Sequence, residues 1–152
     1  MKRPVLVVVV ILSIMSIVPA SCNQPTVTPT QSVPREFTMN TATKTGIGEY
    51  LVDGKGMTLY IFTRDTADKS NCDASCLEKW PPLLTQGNPI LGPGVDDSKI
   101  GSSLLPDGTS IVTYDHMPLY YYYKDTKAGD TTGQGVGGVW YVISPDGEII
   151  GK

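Results

Sequence analysis

Histidine is nearly absent from this chain: His116 is the single imidazole in 152 residues. One histidine cannot build a His-rich metal centre, and no Ser-His-Asp arrangement stands out around it as a pattern. Cysteine is sparse too, with three in the chain, and no Cys-x-x-Cys-His run occurs, which excludes covalent c-type haem attachment. Charge is low, at 18% of residues, and leans acidic, with 12 Lys and Arg against 15 Asp and Glu. A balance of that sign gives little electrostatic reason to bind nucleic acid or anionic lipid. Nor is there a comfortable membrane span, because the longest apolar run, Val5–Val18, is short of the ~20 residues that a spanning helix needs.

What that run does fit is export. Lys2 and Arg3 precede it, and the small residues Ala20 and Ser21 follow it, directly before Cys22. This is the layout of a secretory signal peptide over residues 1–21. A small residue directly before cysteine also matches a bacterial lipoprotein signal, in which Cys22 receives the lipid, although Pro19 stands where such signals usually carry Leu. Ordinary cleavage after Ala20 is the alternative. Residues 22–45 are rich in Thr, Pro, Gln and Ser with little apolar surface to bury, and read as an extended tether behind a lipid anchor. Loss of Lys2 and Arg3 with the signal takes the formal charge from -3 to -5.

The remainder, residues 46–152, is organised by a phrase that occurs twice. Leu59-Tyr60-Ile61-Phe62-Thr63-Arg64-Asp65 and Leu119-Tyr120-Tyr121-Tyr122-Tyr123-Lys124-Asp125 share Leu-Tyr-x-aromatic-x-x-Asp, each followed by Thr. The same offset carries Trp80 onto Trp140, so the register persists well beyond the phrase, as an internal duplication requires. The copies run over about 49–85 and 104–146. Glu49–Val52 and Met57–Thr63 are expected to form a hairpin around Asp53-Gly54-Lys55-Gly56. Ala74–Trp80 is expected to make a short helical turn that Pro81-Pro82 ends, and Leu83-Leu84 a short edge segment. In the second copy, Leu104-Leu105, Ser110–Tyr114, Met117–Lys124 and Val139–Ser144 read as strands, with Glu148–Ile150 as a short final one. The fold class is therefore mainly β: a small single domain of two duplicated antiparallel units.

Together the two phrases, Cys72-x-x-x-Cys76 leading into Trp80-Pro81-Pro82, and Gly129-Asp130 through Gln134-Gly135-Val136-Gly137-Gly138-Val139-Trp140-Tyr141 resemble the secreted-repeat lipoproteins, the family with the Yx(F/W/Y)xxD motif. The resemblance spans about Glu49 to Pro145. It implies an exported, usually lipid-anchored, two-copy domain, and it carries no enzymatic mechanism.

On a strand, Tyr60 and Phe62 share one face, as do Tyr120 and Tyr122, while Tyr121 and Tyr123 take the other. These rings are either core or an aromatic platform for a ligand, and Tyr60, Tyr120, Tyr121 and Tyr123 are the platform candidates, the last two foremost. Asp65 and Asp125 end the two strands. They are expected to accept backbone N–H bonds two or three residues on and so fix the exit turns, with the adjoining loops available to a ligand. Cys72 and Cys76 are most simply a disulfide in an exported protein. The alternative, an envelope copper-binding or redox accessory protein, keeps them reduced, as soft ligands for copper together with His116, with Met57 and Met117 at equivalent hairpin positions. Gly133–Gly138 satisfies G-x-G-x-x-G but precedes a strand rather than a helix, so it is no dinucleotide fingerprint. The expectation is a non-catalytic envelope lipoprotein without a cofactor or bound metal. Its partners are the membrane, through the anchor, and an envelope component or small ligand, with no nucleic acid.

Overall fold

The computed structural model describes residues 38–85, 87 and 89–152. The predicted signal peptide, Cys22 and most of the predicted tether lie outside the described residues.

The end of that tether is corrected, because Thr38–Lys44 is strand β1, paired antiparallel with β2, Gly48–Asp53, from Met39 opposite Asp53 to Lys44 opposite Gly48. A Thr-rich stretch has the polarity of a linker, but β-branched side chains suit a pleated ladder, and Met39, 0% exposed, anchors the strand in the core. At the far end of β2 the carboxylate of Asp53 accepts the N–H groups of Lys55 and Met57, each at 2.8 Å, and closes the expected turn. The hairpin stops there. After a bridge between Val52 and Thr58, the chain turns away, and β3, Tyr60–Phe62, pairs with a strand from the other end of the sequence.

A single helical turn, α1, Ala74–Leu77, is capped by Asp73, whose carboxylate accepts the Cys76 N–H at 2.9 Å. Leu83 is not at an edge: it donates to the Leu119 carbonyl and accepts from Val112 N–H, both at 2.8 Å. Within the expected connector, Ile90–Leu91 forms β4, which runs parallel to β1 along its outer side. Three strands then follow as a meander: β5, Ile100–Leu104, β6, Ser110–Tyr114, and β7, Met117–Pro118. The last strand, β8, is Trp140–Val142, and the expected final strand amounts to one bridge between Ile143 and Ile149. The sheets are β2-β1-β4, β3-β8 and β5-β6-β7. The fold is mainly β, as expected.

The duplication is legible in the ladders. Asp53 faces Met39 before one turn, and Tyr114 faces Ile100 before the other, so β1–β2 corresponds to β5–β6. Asp115 and His116 make the second turn one residue shorter than Gly54–Gly56, which moves the correspondence from sixty-one residues before the turns to sixty after them. Both copies also start earlier than expected, at β1 and β5. Their buried side chains form two clusters, one around the motif aromatics and tryptophans and one around Leu51, Leu59, Val112, Tyr114 and Ile143.

Candidate functional site

The motif tyrosines meet at the centre of the fold. Tyr60 and Tyr120 exchange both backbone hydrogen bonds, Tyr60 N–H to Tyr120 O at 2.8 Å and Tyr120 N–H to Tyr60 O at 2.9 Å. On either side of this pair each motif runs beside the tryptophan segment of the other copy: Thr63 N–H donates to Val139 O at 2.8 Å and Tyr123 N–H to Lys79 O at 3.0 Å. The two copies are thus interleaved, and neither motif strand is completed by its own repeat.

The side chains follow the same exchange. Tyr60 O–H donates to Asp125 Oδ2 at 2.6 Å, and Tyr120 O–H donates to Asp65 Oδ2 at 2.7 Å. The second oxygen of each carboxylate then holds the loop that follows: Asp65 Oδ1 accepts Asn71 N–H at 2.6 Å, and Asp125 Oδ1 accepts from the N–H and hydroxyl of Thr132 at 3.0 and 2.6 Å. The loop-fixing role expected of the two aspartates is present, but the bonds span six and seven residues rather than two or three, and each carboxylate also ties the copies together. Burial pushes the hydroxyls of Tyr60 and Tyr120 well above the usual phenol range, with their carboxylate partners adding to it, so both remain donors. Burial also raises the Asp65 carboxyl, against the pull of Asn71 N–H and the Tyr120 hydroxyl.

The aromatic rings form one stack in the order Phe62, Trp140, Trp80, Tyr122. Its centroid spacings are 4.4, 3.8 and 4.2 Å, and the tryptophans lie 3° from parallel. Each motif tyrosine meets its own copy's tryptophan edge-on, Tyr60 on Trp80 at 5.4 Å and Tyr120 on Trp140 at 5.3 Å. Gly133 fits against this cluster because a Cβ there would stand 2.8 Å from Tyr60 Cζ and 2.9 Å from Trp80 Cη2. The glycine of the false dinucleotide pattern therefore has a packing reason.

The platform expectation is accordingly corrected for two of its four residues. Tyr60 and Tyr120 are 0% exposed and have no surface to offer a ligand. Tyr121 is partly buried and donates to Asp53 Oδ2 at 3.1 Å. Tyr123 alone of the four is open, 51% exposed, with the Lys124 ammonium 5.6 Å from its ring centre.

Cys72 and Cys76 are joined in a disulfide with their α-carbons 5.3 Å apart, which secures α1 before Trp80. The copper alternative is thereby overturned, since both sulfurs are bonded to each other. His116 is engaged elsewhere: its Nδ1 lies 2.7 Å from Asp68 Oδ2. The Asp68 carboxylate raises the imidazole's pKa. Sequence reasoning missed this pair, although it is conspicuous in the backbone, where Asp68, Asp115 and His116 are the non-glycine residues with positive φ among those described. No cluster of three or more His, Cys, Asp or Glu among the described residues is arranged to hold a metal ion. No helix among them is long and apolar enough to cross a membrane.

Comparison with known proteins agrees with this architecture. No curated protein and no solved structure matches the chain significantly. One family model, described as a secreted repeat of unknown function, matches twice, over residues 41–84 and 105–144. Each match holds one Tyr-x-aromatic-x-x-Asp motif and one of the stacked tryptophans, and together they cover more than half of the chain. The chain belongs to this secreted-repeat family, with two copies interleaved in one extracytoplasmic β fold.

Proposed function

We propose that this protein is a non-catalytic lipoprotein, held at the membrane by a lipid on Cys22 and spaced from it by the polar segment that follows. In this reading the duplicated domain is a rigid head that engages an envelope component or small ligand at its surface. The observation that carries it is the consumption of the motif chemistry inside the fold. The tyrosine hydroxyls and aspartates that an enzyme would present to a substrate are paired with one another across the repeats. Recognition then falls to the groups left outside, Tyr123 with Lys124 and the loops after Asp65 and Asp125. An exposed aromatic carrying a cation beside it suits a polar partner with an apolar or planar element.

The anchor is tested by metabolic labelling with a fatty acid, which is expected to mark the wild type and not Cys22→Ser. Equal labelling of both refutes the anchor. The binding surface is tested by a photoreactive phenylalanine at Tyr123 in the native envelope, with Thr63 as the corresponding control. A discrete adduct at Tyr123 alone supports the reading, and equal or absent adducts at both positions refute it.

A further inference from the structure

Among the described residues, the outer edge of β5 is an open strand. Asp115 N–H donates to Lys99 O at 2.8 Å and Leu105 N–H to Thr109 O at 2.9 Å, which sets the alternation of the β5–β6 ladder. Gly101 and Ser103 therefore turn their backbone groups toward β6, while Ile100, Ser102 and Leu104 turn theirs outward. Among the described residues the Ile100 N–H bonds back to Asp97 O, and no strand pairs with the outward groups that remain. The other repeat handles the corresponding place differently. Met39, the counterpart of Ile100, is covered by β4, receives Gly92 N–H at 2.7 Å and is 0% exposed. The duplication thus supplies its own control: among the described residues, one copy closes its edge with a strand and the other leaves the edge bare.

The bare edge also lacks the usual protection. Ile-Gly-Ser-Ser-Leu contains no charge, proline or bulge to discourage pairing. Leu104 is 69% exposed, the highest among the large hydrophobic side chains of the described residues. Ile100, Ser102 and Leu104 project from one face. That face opens beside a depression of about 280 Å3 bounded by Ile100, Ser102, Ser110, Thr85 and Pro89.

We propose that β5 pairs antiparallel with β5 of a second copy of this chain, with Ser102 opposite Ser102 at the two-fold axis. The spacing is self-complementary. With serine at the centre, Ile100 of each copy faces Leu104 of the other, and the outward backbone groups other than the Ile100 N–H, which Asp97 O holds, enter one ladder. Leu104 of the second copy then covers Ile100 at the mouth of the depression, and an isologous contact of this kind closes on itself. A five-residue edge buries less than the ~1,200 Å2 of a standard stable interface. The contact is accordingly weak in free solution and gains from confinement on a membrane, a strength argument that rests on the anchor at Cys22.

The test is cross-linking of the full chain, expressed with its own N-terminus, by a short bismaleimide in the envelope and, after purification, over a concentration series. Ser102→Cys is expected to give a covalent dimer, whereas the wild type and Thr43→Cys, on the corresponding strand of the other repeat, are not. Adding Leu104→Lys to Ser102→Cys removes two apolar cross-strand pairs and places a charge on the edge, which should lower the dimer fraction about tenfold. Absence of a dimer from Ser102→Cys in both settings overturns the pairing, as does equal cross-linking at Thr43→Cys or indifference to Leu104→Lys. A dimer in solution without fatty-acid labelling refutes the anchor and leaves the pairing standing.

Discussion

Removing one hydroxyl, in Tyr60→Phe, tests whether the exchanged Tyr–Asp bonds hold the repeats together. The ring stays, so packing against Trp80 is unchanged, while Asp125 Oδ2 loses its 2.6 Å donor and Gly133 N–H loses its 3.2 Å acceptor. Tyr60 is 0% exposed and Asp125 8% exposed, so water reaches neither group readily. A hydrogen bond to a charged group contributes about 1.5–3 kcal/mol, and a buried carboxylate left short of a donor puts this case toward the upper part of that range. At about 4 °C per kcal/mol for a domain of this size, the melting point should fall by about 8–12 °C. Tyr120→Phe should lose less, because the Ser70 hydroxyl, 2.6 Å from the Tyr120 oxygen, is placed to turn toward Asp65. Urea and thermal unfolding of the purified full chain, followed by the fluorescence of the stacked tryptophans, measure the stability losses and the melting-point shift. Tyr123→Phe is the exposed control and should stay within about 0.5 kcal/mol of wild type. A double-mutant cycle adds the decisive arm: Tyr60→Phe should couple to Asp125→Asn by more than ~1 kcal/mol and much less to Asp65→Asn in its own repeat. The reasoning is refuted if Tyr60→Phe is as mild as Tyr123→Phe, or if the stronger coupling runs within one repeat.

Two further outcomes follow from single side chains. Gly133→Ala should destabilise the fold by about 1–3 kcal/mol in the same urea assay, because its Cβ would overlap Tyr60 and Trp80, and a neutral result would mean the loop yields without disturbing the stack. The imidazole of His116 should titrate above its ordinary value by NMR and return toward it in Asp68→Asn. Since the pKa is raised in the folded state, the pair's contribution is complete below the ordinary histidine pKa and fades as pH climbs through the raised one. An unchanged titration in Asp68→Asn would show that the pair does not set it.

Much of the design is written locally. The repeated phrase and the sixty-residue return of tryptophan declare a duplication, and the β-branched and aromatic runs Ser110–Tyr114 and Val139–Ser144 declare strands, because such a preference is a property of a few consecutive residues. The paired cysteines of an exported chain point to a crosslink for the same kind of reason. Pairing across the chain is another matter. Tyr60 and Asp125 are 65 positions apart, and nothing near either residue distinguishes Asp125 from Asp65 as the partner. That choice was made by the interleaving of the copies, which carries each motif strand beside the other copy's tryptophan. The same holds for β1: seven residues, most of them polar, read alike as a tether or a strand until β2 supplies the ladder and Met39 the buried anchor. Burial decided the tyrosines as well. A strand pattern says which side chains share a face, whereas only the packed molecule determines that one face of Tyr60 and Tyr120 is closed by tryptophan and carboxylate and that Tyr123 remains in water.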